Sequence, residues 1–295
     1  MNVKPIISVI GAFALLFLVF AALIFFVSSI YSDNKGFGLT DKVGVIEVQG
    51  PITDAKQVVD DLNTFERDES IKAVVLRVDS PGGGVGPTQE IHAAVKKLKS
   101  KPVVVSMGSV AASGGYYIAA PAAHVFANPG TITGSIGVIM EFPDIADLLE
   151  KIGLHRRVIK SGKYKDIGSP VREMTPEEQD LLQALIDDVY QQFVEDVASG
   201  RNLDIETVKE LADGRIFSGR QAMELGLVDE LGGLQAAIEY SARRAGISGE
   251  PKVVYPKPES VSILDMILKR TAASLSLYLH QAQQGKLQML WNTDS

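Results

Sequence analysis

The alternation that begins at Val43 limits the fold more than any other feature of the chain. VGVIEV (43–48), KAVVLRVDS (72–80) and PVVVSM (102–107) are short, nearly continuous apolar runs. Between them lie ITDAKQVVDDLNTF (52–65), with Ile52, Val58, Val59 and Leu62 at helical spacing, and PTQEIHAAVKKLKS (87–100). Strands that are apolar on both sides cannot face water. A strand–helix–strand repeat buries them in a mainly parallel sheet covered by crossover helices. The expected class is therefore α/β.

The pattern continues less regularly. HVFA (124–127) and SIGVIM (135–140) read as strands, and RRVIKSGKYKD (156–166) is strand-like at its start. Thr175-Pro176-Glu177-Glu178 is a capping box with proline at the first helical position, and it opens a long helix closing near Gly200. Further helices are expected over 204–213, 219–226 and 234–246.

The N-terminus is different in kind. No charged residue lies between Lys4 and Asp33, and Ile6 to Ile30 is almost continuously apolar. About 20 apolar residues suffice to cross a bilayer, and a cleavable signal has a shorter apolar region of ~7–15 residues. The stretch predicts one uncleaved transmembrane helix over about 6–30, with the N-terminus cytoplasmic and the remainder outside. Residues 1–32 then form a membrane anchor, 33–42 a polar linker, 43–255 the main domain and 256–295 a tail. In the tail Leu264, Ile267 and Leu268 recur at helical spacing. The net charge of −7, with no dominant basic run, argues against nucleic acid as a partner. The absence of cysteine excludes a thiol nucleophile, thiolate metal sites and disulfides.

Two glycine-rich turns follow buried strands: Asp79-Ser80-Pro81-Gly82-Gly83-Gly84 and Ala112-Ser113-Gly114-Gly115. Functional groups of parallel sheets collect beyond the C-terminal strand ends, where both turns should fall. In SVAASGGYYIAA (109–120), residues this small let a backbone come close to a ligand. Ser113 opens a helix-like run, where the Gly114 amide is free to donate and the Gly82-Gly83 turn can offer a second donor. Such a pair makes an oxyanion hole, each donor worth roughly 3–4 kcal/mol in other systems. The plain alternative for Ser113 is a helix cap.

A nucleophilic serine needs a base. Of the four histidines, His92 falls inside a helix, His124 on a strand, and neither His155 nor His280 lies in a catalytic pattern. Lysine serves when burial favours its neutral form. In SGKYKDIGSP (161–170) Lys163 and Lys165 alternate and would face the same way, and periodicity does not choose between them. Ser135, in TITGSIGV, could orient the amine. Tyr116, Tyr117 and Ile118 are candidates for lining an apolar substrate pocket, with helix core the plain alternative for at least one of them.

SPGG, SVAASGGYYIA, GTITGSIGV, GKYKDIGSP and GRIFSGRQAMELGLVDELGGL occur in that order. From about Val43 to Ile247 this series resembles the signal peptide peptidase (protease IV) family, of the short single-domain bacterial type. The resemblance implies the fold of the Clp protease and crotonase superfamily, and a membrane-anchored serine endopeptidase with a Ser–Lys dyad and no cofactor or metal. It makes Ser113 the nucleophile, Lys165 the general base, Ser135 the residue that holds the lysine, and Gly83 and Gly114 the oxyanion-hole amides. It further implies remnant signal peptides and other apolar peptides as substrates, met at the outer side of the cytoplasmic membrane. The family assembles as a ring-shaped homo-oligomer in which neighbouring subunits complete the groove. The tail after Pro256 matches nothing in the family. Two rivals stand beside this reading: a crotonase-like acyl-CoA enzyme, which would use the paired amides without Ser113 or Lys165, and an inactive anchored scaffold of the same fold.

Overall fold

The computed structural model describes residues 17–23 and 41–256. Residues 17–23 are helical, with Phe17, Leu18, Val19, Phe20 and Leu23 exposed. The rest of the expected anchor, most of the linker and the tail from 257 lie outside the described residues. Among those described, no helix is long and apolar enough to cross a membrane.

The repeat seen in the sequence produces β1 (Lys42–Gln49), α1 (Lys56–Arg67), β2 (Ile71–Ser80), α2 (Val85–Lys97) and β3 (Val103–Ala112). There follow α3 (Gly114–Ala119), β4 (His124–Ala127), β5 (Ile132–Gly134), α4 (Ala146–Lys151), α5 (Pro176–Arg201) and α6 (Ile205–Leu211). The described fold closes with β6 (Ile216–Ser218), α7 (Gly219–Glu224), β7 (Glu230–Leu231), α8 (Leu234–Arg244) and β8 (Lys252–Val254). The sheet runs β6-β5-β3-β2-β1-β8, with β4 pairing β3 and β7. Every pairing is parallel except β5 with β6.

Alternate residues of the central strands feed two cores. Ile46, Val48, Leu76, Val78 and Val105 pack with Leu62 and Phe65 of α1 and Ile91 of α2. Val43, Val45, Val75 and Val104 pack with Ala237 and Ile238 of α8. Helices on both faces explain why these strands are apolar throughout rather than alternating.

The sheet forks at β3. Its first half pairs with β4 through Val104↔His124, whereas its end pairs with β5 through Ala112↔Gly134. On the other side, a register shift between Val78 and Ser80 sets Ser80 opposite Ala111. A crevice opens where neighbours change in this way, beyond the strand ends.

The capping box at Thr175 is present, with Thr175 Oγ1 accepting from the Glu178 amide, and α5 ends in a left-handed cap at Asn202. Two expected strands are absent. Residues 135–140 are irregular because Ser135 turns to φ 50°, out of the extended region, as soon as β5 ends. Residues 156–160 have no regular structure and 161–168 form turns and bends, so Lys163 and Lys165 do not alternate along a strand.

Candidate active site

Ser113 follows directly on β3 at φ 53° and ψ −121°. Holding a residue other than glycine there costs on the order of 1–3 kcal/mol, and such strain collects at functional sites. The neighbouring strand supports it: the Ser113 amide donates to the Gly134 carbonyl at 2.8 Å. The Ser113 side chain makes no capping hydrogen bond to α3. Ser113 caps α3 through its backbone carbonyl alone, and its side chain, unused by the cap, lines the cleft.

Ser135 is the residue one step on from Gly134, as Ser113 is one step on from Ala112, so the pairing of those two sets the serines side by side. Ser135 also has positive φ, and its amide donates to the Arg215 carbonyl at 2.8 Å. Among the described residues, Ser113, Ser135 and Asn202 are the three non-glycine residues with φ above zero. Two of the three therefore stand at one sheet edge.

The SPGGG turn closes against the serines from the β2 side. Ile52 bridges Gly83: its amide donates to the Gly82 carbonyl at 2.9 Å, and its carbonyl accepts from the Gly84 amide at 2.8 Å. In a parallel bridge of this pattern the Gly83 amide points away from Ile52 and takes no part. The Gly114 amide, first in α3, has no acceptor within the helix. Side chains are excluded here by contact. A Cβ on Gly82 would come within 2.6 Å of the Gly114 nitrogen, and one on Gly83 would overlap the Ile52 carbonyl oxygen. A Cβ on Gly114 would lie 3.2 Å from the Gly83 nitrogen. Ser80, which the sequence did not single out, fixes the turn by accepting from the Gly82 amide at 3.1 Å. The Ser-x-Gly spacing of a serine-capped turn was its available signal.

These groups border a cleft of about 340 Å³ that Ser113, Gly83, Gly114 and Ser135 line together with Tyr117, Val138, Ile139 and Phe193. Tyr117 is expected there and lies there. Its hydroxyl donates to Asp196, and burial with this carboxylate raises its pKa. Tyr116 is a correction. It is fully buried, its hydroxyl donates to the Leu227 carbonyl at 3.0 Å, and it belongs to the core, not the cleft. Successive residues of a one-and-a-half-turn helix point about 100° apart, so only one of the pair can face the cleft.

Among the described residues, no amine or imidazole lines the cleft. His92 is buried behind Tyr117, with ring centroids 4.7 Å apart, and burial lowers its pKa. Lys163 is exposed and paired with Glu177, a contact that holds its amine in the charged form. Lys165 is also exposed, and its amine has no hydrogen-bond or ion-pair partner among the described residues. The structure thus brings together Ser113, Ser135, Gly83 and Gly114, and does not bring Lys165 to them within this chain.

The turn carrying the lysines is tied to α5 by a charged network that no sequence pattern announced. Arg172 donates to Asp166 and to Glu178, and Lys160 donates to Asp166. The Arg172 guanidinium holds the Asp166 carboxyl well below its usual range and lowers Glu178 to about 2.

A serine beside two unpaired amides, at the fork of a parallel sheet, is an arrangement suited to an enzyme that handles a carbonyl through an oxyanion. Comparison with known sequences narrows the class. The profile of peptidase family S49 matches residues 95–248, and that of Clp protease matches residues 34–133. A Synechocystis sp. protein named as a protease is 54% identical over 70% of this chain and 75% of its own length. An Enterococcus faecium protein named as signal peptide peptidase SppA is 43% identical over 66% of this chain and 57% of its own. Protease 4 of Salmonella typhi is 36% identical over 75% of this chain and 35% of its own. The chain belongs to peptidase family S49 and is a serine protease, which decides against the acyl-CoA reading.

Proposed function

We propose that this protein is a membrane-anchored endopeptidase that cleaves remnant signal peptides and related apolar peptides outside the cytoplasm, with a Ser113–Lys165 dyad completed between two copies of the chain. In this reading the Lys165 amine of a neighbouring copy, neutral once enclosed by the contact, takes the proton of the Ser113 hydroxyl. Ser135 holds that amine. The serine oxygen bonds to the substrate carbonyl carbon, and the oxyanion accepts from the Gly83 and Gly114 amides. The C–N bond then breaks, the lysine returns its proton to the leaving amine, and an acyl-enzyme remains. Water, deprotonated by the same lysine, releases the acid and restores the serine.

The observation that carries this reading is a cleft with its serine and its amides in place and no base of its own. Two further features support it. Lys165 sits on a stretch, 137–177, in which no residue is buried. Apolar side chains stand out in water along it, Ile159 at 96% and Ile139 at 83% exposure. A second copy laid over that stretch would cover them in a ring of identical contacts. The apolar N-terminal segment supports the anchor, since an enzyme held in the bilayer meets membrane-borne peptides at raised effective concentration.

The test is cleavage of an apolar peptide by the full chain in detergent or vesicles. Ser113→Ala and Lys165→Ala should each lower kcat/KM by roughly 10⁴-fold, whereas Lys163→Ala, which breaks an exposed ion pair, should change it by less than about threefold. Undiminished cleavage by either of the first two variants would exclude the dyad.

A further inference from the structure

One buried polar side chain bordering the cleft is left without a hydrogen-bond partner among the described residues. Thr88 lies in the first turn of α2, lines the cleft, and is 4% exposed. Its Oγ1 is buried without a hydrogen-bond partner among the described residues. Two neighbouring polar side chains of the lining are engaged: Gln89 Nε2 donates to Gln192 Oε1 at 2.8 Å, and the Tyr117 hydroxyl donates to Asp196. A buried hydroxyl left unpaired costs about 1–3 kcal/mol, so a native fold that keeps one has a use for it or a partner yet to arrive.

Its position suggests the partner. A Cβ added to Gly114 would come within 2.8 Å of Thr88 Oγ1 and within 3.2 Å of the Gly83 nitrogen. The hydroxyl therefore stands against the Gly114 backbone, in a residue that borders the cleft. A peptide whose carbonyl oxygen lies between the Gly83 and Gly114 amides must put the side chain of that same residue into the adjoining cleft. Val85, Val138, Val189 and Phe193 make the remaining walls apolar. A residue entering there meets hydrocarbon on most sides, with Thr88 among the few polar residues of the wall. The hydroxyl hydrogen turns about the Cβ–Oγ1 bond, so the group can donate to or accept from an incoming partner.

We infer that Thr88 is a specificity-determining residue. Its hydroxyl takes its missing hydrogen bond from the side chain of the residue on the acyl side of the cleaved bond, so that among apolar peptides a threonine or serine there is favoured over its apolar isostere. The inference rests on the peptidase reading above.

Two peptides differing only in threonine or valine at that position provide the probe, since the pair differ by a hydroxyl in place of a methyl. The parent full-length protein should cleave the threonine peptide about fivefold to tenfold better in kcat/KM, the usual worth of one hydrogen bond. Thr88→Val should abolish or invert that ratio while leaving the melting temperature unchanged or higher, because an unpaired buried hydroxyl has been removed. Thr88→Ser should keep the ratio and show that any loss is not one of packing. Binding of the same two peptides to Ser113→Ala, alone and with Thr88→Val, reads the discrimination without turnover. If the parent cleaves neither peptide, the peptidase reading fails and the inference with it; if the parent cleaves both, the ratio judges the Thr88 inference alone. Equal handling of both peptides by the parent, or an unchanged ratio in Thr88→Val, would overturn it.

Discussion

The segments that carry Ser113 and those that carry Lys165 are built by different means. Ser113, Ser135 and the SPGGG turn hang directly on the ends of β2, β3 and β5, strands whose inner residues are almost wholly buried. Each is fixed by backbone hydrogen bonds to a neighbouring segment. Lys165 rides on the stretch 137–177, which has no buried residue and is held mainly by the Asp166–Arg172–Glu178 network. The difference teaches which features a single chain can set by itself. Sheet register places groups to within a hydrogen bond, because slipping it would expose a whole face. A limb without a core of its own can present an amine, but it cannot by itself enclose one.

Damage to the serine side should be severe and independent of assembly. Gly114→Ala forces a methyl against Thr88 Oγ1 and the Gly83 nitrogen. We expect kcat to fall by roughly 10²- to 10³-fold, the loss that follows removal of one oxyanion donor, with assembly unchanged by analytical ultracentrifugation. Fewer than tenfold would mean that the Gly83–Gly114 geometry does not stabilise the reacting oxygen.

Damage to the lysine side should act through association. Ile159→Asp removes an exposed apolar contact without touching a core residue. The expected result is a protomer of normal thermal stability with weaker assembly and roughly tenfold lower activity at low concentration, recovering as concentration rises. Concentration-independent activity in that variant would detach the limb from the interface.

The same contrast decides what was legible in the sequence. β1, β2 and β3 could be read from residues alone because burial on both faces leaves an unmistakable apolar run. Ser113 and the glycines could be read because close backbone approach excludes other side chains. SIGVIM misled: Ile136 is buried in the core and Val138 and Ile139 line the cleft, so its apolar character reflects those positions and not a strand. The segment 156–166 misled for a related reason, since Val158 and Ile159 are apolar but exposed. β6, β7 and β8 have two or three residues each, too few to show any period. Thr88 left no pattern at all. Its distinction is a missing partner, which only coordinates reveal.

The claim that the dyad is completed between copies is tested most directly by mixing. Ser113→Ala and Lys165→Ala, each inactive alone, are dissociated, combined in equal amounts and allowed to reassemble. A working site then needs a Lys165→Ala copy supplying the serine beside a Ser113→Ala copy supplying the lysine, each present at a given position half the time, so about a quarter of the parent activity should return. If mixed assemblies form and activity stays at the level of the separate variants, serine and lysine act within one chain and a dyad shared between copies is contradicted.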